Sequence, residues 1–196
     1  MCGIVGILAS GRSNGTEAHR VLVDMRDRLV HRGPDDAGAW FDDAEGIALG
    51  ARRLCIVDLS PAGRQPMQSS DGRYVVVMNG EIYNFADLKK DLIRKNHGFR
   101  GGSDTEVMLA AFEEYGIKEA VRKFNGMFAF AVWDSKEKVL TLVRDRFGEK
   151  LEHDRVADLL REGNSFRDRR RHMRLDRRDA VGLEQVLRFG FGQDGT

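Results

Sequence analysis

Residues 1–8 read Met1-Cys2-Gly3-Ile4-Val5-Gly6-Ile7-Leu8, and their reading decides the rest. Apolar residues stand on nearly every position from 2 to 9, which predicts a strand buried on both faces. Cys2 has a further option. A small second residue permits removal of Met1, and the thiol then shares its residue with a free α-amine. With a pKa near ~8, that amine is partly neutral at physiological pH. Nucleophile and base then come in one residue. The thiolate attacks an amide carbon, the amine's acquired proton goes to the departing ammonia, and water releases the acyl group. Position alone favours a buried structural cysteine, since free Cys is among the most buried residue types; other residues must shift the reading.

Outward from this strand, Val21, Leu22, Met25 and Leu29 recur at helical spacing and predict a helix over 17–30. His31-Arg32-Gly33-Pro34-Asp35-Asp36 reads as a turn. Residues 38–41 and 46–50 read as a hairpin, and 53–59 as a strand. Tyr74–Met78 is a strand with Val75-Val76-Val77 at its centre, stopped by Asn79-Gly80. Asn84 is the expected N-cap of a helix from Phe85 to Asn96, with Gly98 past its end. Ser103 or Asp104 caps a helix carrying Val107, Met108, Ala111 and Phe112 on one face, and a short separate helix reaches Phe124. Strands over 127–133 and 139–144 follow. Strands fall in antiparallel-looking groups with helices between them, which is α+β layering and not βαβ alternation.

Three groups bear on the chemistry of Cys2. Asn79-Gly80-Glu81 stands at a strand end, where an Asn side chain and a Gly N–H can hold the oxyanion of a tetrahedral intermediate; the alternative is an ordinary Asn-Gly hairpin turn. A buried Arg53 suits a free carboxylate through two parallel hydrogen bonds, while Arg52 has the opposite facing and is expected in solvent. Asp104 alone reads as a helix cap. With Glu81 it offers two carboxylates to one ammonium. An arginine with two carboxylates is the recognition logic for a free amino acid.

The chain resembles the class II glutamine amidotransferases, which are N-terminal nucleophile hydrolases, and more narrowly the glutaminase domain of glutamine-dependent asparagine synthetase. The opening Met1–Gly6 is followed by seven matching blocks in order: His31–Asp35, Arg53–Asp58, Gln65–Met67, Asn79–Asn84, Ser103–Glu106, Phe124–Phe130 and Arg144–Lys150. The resemblance implies a four-layer αββα sandwich. It implies Cys2 as nucleophile, with Asn79 and the Gly80 N–H as oxyanion hole. Arg53 would take the glutamine α-carboxylate, and Glu81 and Asp104 its α-ammonium. Leu54, Cys55, Ile56 and Val57 would line the pocket, with Cys55, commonly Ser in the family, packing beside it. Glucosamine-6-phosphate synthase and the purine-pathway amidotransferase share Cys2 and the Asn-Gly pair but fit Arg53–Asp58 and Arg144–Lys150 less well. The glutaminase step needs no metal or other cofactor. ATP and Mg²⁺ belong to the family's synthetase domain, whose Ser-Gly-Gly-x-Asp-Ser loop is not found in these residues.

Composition sets further bounds. A net charge of +1 gives no sign of nucleic acid or membrane as partner, and hydrophobic residues at 41% suffice for a core. L-glutamine is the expected partner, and the resemblance adds a homodimer for full-length members. Two cysteines, Cys2 and Cys55, with no signal peptide, point to the reducing cytoplasm. The longest apolar run, Met127–Trp133, is far too short to span a bilayer. Residues 151–196 hold ten Arg and no Lys, against fourteen Arg and eight Lys in 1–150. The expected organisation is therefore a glutaminase domain over 1–150 and a divergent Arg-rich tail over 151–196. The family's Pro-Leu-Tyr-Tyr after Lys150 is replaced by Leu151-Glu152-His153-Asp154, so the sandwich is expected to lack its last strands and to leave a sheet edge unpaired. A frameshift, with the frame lost near 151 and partly regained near 176, would explain this; a basic disordered tail is the alternative. Two rival functions are an inactive glutamine-binding fragment and an interaction protein acting through the tail.

Overall fold

The computed structural model describes residues 2–8, 15–150 and 185–190. In chain order these form β1 (Gly3–Leu8), α1 (Gly15–Asp27), β2 (Asp36–Asp42), β3 (Ile47–Arg53), β4 (Met67–Gln68), β5 (Tyr74–Ile82), α2 (Phe85–Arg94), α3 (Asp104–Lys123), β6 (Gly126–Asp134), β7 (Val139–Arg144) and β8 (Gln185–Gly190). One antiparallel sheet has the order β1-β3-β2, the other β4-β5-β6-β7-β8.

Strand alternation builds the layers. Successive side chains of a strand point to opposite faces. Val75 and Val77 of β5, with Ala131 and Trp133 of β6, meet Ile47, Leu49 and Ala51 of β3 in a core between the two sheets. Tyr74, Val76 and Met78 face the other way, as do Phe128, Phe130 and Val132, and pack against Val107, Met108, Ala111 and Phe112 of α3 and Leu92 of α2. On the outer face of the small sheet, fully buried Leu22 of α1 lies over Gly50, where an added side chain would press on Val5. The order is α1, sheet, sheet, α2 with α3, which is the αββα sandwich. Each fully buried Val or Leu in these cores contributes about 1.5–3 kcal/mol relative to exposure.

The structure departs from the sequence reading at several places. β1 is an edge strand and only Gly3 in it is fully buried; β3, β5 and β6 are the strands covered on both faces. No strand covers 53–59: β3 ends at Arg53, and the following apolar residues are exposed, Ile56 by 68% and Leu59 by 78%. Asn79-Gly80 does not stop β5, which continues to Ile82 because β6 pairs with it throughout, with Gly80 opposite Phe128. Asn84 makes no capping bond to α2; its side chain instead accepts the Asn125 N–H at 2.9 Å and donates to the Lys123 carbonyl at 2.9 Å. The separate helix expected before Phe124 is present: Gly116, non-helical at φ 73° and ψ 160°, divides α3 into two helical stretches. The outer edge of β7, expected unpaired, carries β8, with Val139 opposite Gly190 and Arg144 opposite Gln185. The composition change at 151 and the proposed loss of frame fall in 151–184, outside the described residues. Among the described residues no helix is long and apolar enough to cross a membrane.

Candidate active site

The β1–β3 register places Gly3 opposite Arg52, which brings Cys2 to the level where β3 gives way to a loop. The Cys2 thiol faces the Leu54 carbonyl at 3.9 Å. Arg32 donates to the Cys2 carbonyl at 3.4 Å. The Gly33 turn lies so close to β3 that any side chain there would overlap the backbone of Arg52. Asp35 completes this clamp: its N–H donates to the Arg53 carbonyl at 3.1 Å, and its carboxylate accepts the Cys55 N–H at 2.8 Å.

Arg53, the last residue of β3, is only 7% exposed. Its guanidinium donates to the carbonyls of Ser60, at 3.1 Å, and Asp58. The loop after β3 therefore wraps around it, and Gly63 leaves the space that the guanidinium occupies. Arg52, expected in solvent, is largely covered, because its Nε donates to the Gly33 carbonyl at 2.9 Å.

In β5, Asn79 and Glu81 share the face of Val75 and Val77 by the strand's period of two. They continue that face past the inter-sheet core, towards the end where Cys2 lies. N–H groups on one edge of a strand also recur every second residue. Beyond β4, that edge of β5 is occupied by side chains. The Met78 N–H donates to Gln65 Oε1 at 2.6 Å, and the Ile82 N–H to Asp104 Oδ2 at 3.0 Å. The Gly80 N–H points to the same edge between them. Gly80 itself has φ of 154°, and a side chain there would overlap the Met127 carbonyl and Phe128.

Asp104 opens α3, beneath a cap in which Ser103 Oγ accepts the Glu106 N–H at 3.2 Å. At 5% exposure its carboxyl is pushed above the ordinary value by burial; the Ile82 and Thr105 N–H groups oppose this and the Glu81 charge adds to it. Gln65 ties the same helix start to β5 by donating to Thr105 Oγ1 at 3.2 Å. Lys150, 6% exposed, is held at the cleft wall by its N–H bond to Asp145, at 2.9 Å.

Cys2, Arg53, Leu54, Ile56, Val57, Asn79, Gly80, Glu81 and Asp104 thus line one cleft of about 90 Å³. On a scale where one water takes roughly 10–15 Å³, that space suits a single amino acid. Cys55 is the exception among the expected residues. It does not line the cleft, and its backbone is turned to Asp35. Asp58, Gln65, Thr105, Met127 and Lys150 line it in addition. All five stand inside the quoted motif blocks, but no chemistry of their own marks them in the sequence. The lining thus carries cations, Arg53 and Lys150, and carboxylates, Asp58, Glu81 and Asp104.

A four-layer sandwich with a cysteine at the head of an edge strand, facing an Asn-Gly pair across such a cleft, defines the class, and the comparisons agree. The chain belongs to the family described as glutamine amidotransferase domain, whose model matches residues 1–155. It is 41% identical over 151 residues to asparagine synthetase [glutamine-hydrolyzing] 1 of Bacillus subtilis, an alignment covering 76% of this chain and 23% of that protein. With asparagine synthetase [glutamine-hydrolyzing] 3 of the same organism it is 35% identical over 200 residues, covering 100% of this chain and 31% of that one. The chain therefore spans a quarter to a third of the length of these relatives. Among solved structures, the glutamine phosphoribosylpyrophosphate amidotransferase of B. subtilis superposes with a TM-score of 0.56 at 18% identity, over 75% of this chain and 37% of that one, a likeness of fold.

Proposed function

We propose that the chain is a glutaminase, releasing ammonia from L-glutamine through the thiol of Cys2 once Met1 is removed. The observation that carries this reading is the convergence of Cys2, Arg53, Asn79, Gly80, Glu81 and Asp104, drawn from four separate stretches of sequence, on one cleft sized for an amino acid. Arg53 takes the α-carboxylate, and Glu81 with Asp104 takes the α-ammonium, leaving the side-chain amide directed at Cys2. The neutral α-amine of Cys2 accepts the thiol proton. The C–S bond forms at the amide carbon, and the oxyanion is held by the Asn79 side chain and the Gly80 N–H. The ammonium then protonates the leaving nitrogen, ammonia departs, and water attacks the thioester to give L-glutamate. None of these steps calls on a metal or other cofactor.

The names of the relatives extend the proposal. In a longer polypeptide of their kind, the ammonia would amidate aspartate in an ATP- and Mg²⁺-dependent step on a separate synthetase domain, with full-length chains paired as homodimers. The free thiols of Cys2 and Cys55 suit the reducing cytoplasm.

The test is ammonia release from L-glutamine by the purified chain, beside Cys2→Ala, with the intact mass reporting Met1. Turnover confined to the parent is expected. Turnover surviving in Cys2→Ala would sink the mechanism. A retained Met1 with no turnover would favour an inactive glutamine-binding fragment.

A further inference from the structure

We propose that Asp58 is a positioning residue that fixes the spacing between the two poles of the amino-acid site, the guanidinium of Arg53 and the carboxylate of Asp104; this rests on the glutaminase reading of the cleft. Asp58 lies in the loop after β3 and is 9% exposed at the cleft wall. Its carboxylate is divided between two segments. Oδ1 accepts the Ser60 N–H at 2.8 Å within its own loop, and Oδ2 accepts the Gly102 N–H at 2.9 Å, two residues ahead of Asp104. Its backbone carbonyl accepts from the Arg53 guanidinium, whose other arm donates to Ser60. One residue thus joins the loop that wraps Arg53 to the segment that leads into Asp104.

The fit is close on both sides. A side chain at Gly101 would stand 2.7 Å from Asp58 Oδ2, and one at Gly63 would displace the Arg53 guanidinium. The Ser60 hydroxyl, with the Gly102 and Ser60 N–H groups, holds the Asp58 carboxyl down at about 2, so the bridge is ionised throughout the working pH range. A free α-amino acid presents carboxylate and ammonium at one fixed separation, and a site selects it by holding cation and anions at the matching distance. The α3 start is already pinned to β5 by Gln65 and by Asp104 itself. Asp58 supplies the remaining link, from that start to the arginine.

Asp58→Asn keeps the shape of the side chain and places an NH₂ donor against one of two N–H donors, so the link opens. The readout is calorimetric binding of L-glutamine to the Cys2→Ala chain, with and without Asp58→Asn, and steady-state kinetics on the active chain. Affinity for L-glutamine should fall roughly 10–100-fold, the range of one lost charge-assisted hydrogen bond. KM should rise by that factor with kcat nearly unchanged, and alkylation of Cys2 by iodoacetamide should keep the parent rate. Two analogues isolate the effect: 4-aminobutanamide, which lacks the α-carboxylate, and glutaramic acid, which lacks the α-amine. Each engages one pole, so Asp58→Asn should leave both nearly as the parent treats them. If Asp58→Asn does not fold, Gly102→Pro breaks the same bond from the other side, its ring replacing the N–H that Asp58 accepts, and the same selective loss is expected. An equal loss for all three compounds, or an unchanged affinity for L-glutamine, would overturn the role of Asp58 alone. A parent chain that neither binds nor hydrolyses glutamine would overturn the reading of the cleft, and this role with it.

Discussion

Asp104 Oδ2 accepts the N–H of Ile82 at 3.0 Å, so the first residue of α3 is fastened by its side chain to the last residue of β5. The bond aims a buried carboxylate at the cleft beside Glu81, and burial raises its pKa above the ordinary value of 3.8. The sign follows. In this window the folded state holds the proton that the unfolded state releases, so Asp104 costs stability as pH rises from 3.8 through its folded value. Binding has the opposite slope, because a substrate ammonium pairs only with the ionised form. KM for glutamine should therefore start to rise in acid at a higher pH than an ordinary carboxylate would dictate. In Asp104→Asn that acid limb should flatten, and KM at neutral pH should rise roughly 10–100-fold. KM measured against pH for both proteins decides it, and an acid limb unchanged in Asp104→Asn would remove Asp104 from the site.

The buried side-chain oxygen of Asn79 has no hydrogen-bond donor among the described residues. Such an orphan costs the folded protein about 1–3 kcal/mol. Asn79→Ala removes both the orphan and the proposed oxyanion donor. Expected are a fall of about 10²–10³-fold in kcat, a KM within a few-fold of the parent, and an unfolding midpoint no lower than the parent's. A parent-like kcat would refute the oxyanion role; a large drop in stability would show that Asn79 is structural.

Asp145 organises the turn that carries Lys150. Its carboxylate accepts N–H groups from Phe147, Glu149 and Lys150 at 3.1, 2.9 and 2.9 Å. Burial alone would raise its pKa, but those N–H groups outweigh burial and bring it below 3.8. Its stabilisation is therefore complete above pH 3.8 and lost as pH falls through the lower folded value. Asp145→Ala should lower stability at pH 7 by about 2–4 kcal/mol, and the gap to the parent should narrow below pH 4. Urea midpoints at the two pH values test this.

Much of the fold was legible because it rests on short-range pattern. The unbroken apolar runs of Tyr74–Met78 and of Met127–Trp133 mark two strands, but pattern alone gives only α+β layering, and the four layers were implied by the family resemblance. Errors arose where a distant partner decides the outcome. Asn79-Gly80 is a turn signal in isolation, but β6 extends past it and Gly80 tolerates φ of 154°. Ile56, Val57 and Leu59 look like a strand, but no strand is offered to them, and Arg53 draws the following carbonyls into a loop. Cys2 and Arg53 were legible because a thiol at position 2 and a buried arginine at a strand are unusual there; Asp104, an ordinary helix cap by itself, was legible only beside Glu81. Asp58 and Gln65 were not, since each works through a group far along the chain, Gly102 and Thr105.

The position of β1 at a sheet edge, with Cys2 at its head, carries a practical consequence. On the proposed mechanism the reagent is the very tip of the polypeptide, so anything fused ahead of it acts as a pro-segment. An affinity tag or leader placed there would hold the protein as a dormant precursor until cleavage leaves Cys2 first. Aminopeptidase trimming, and not folding alone, would set the moment at which a newly made molecule begins to work.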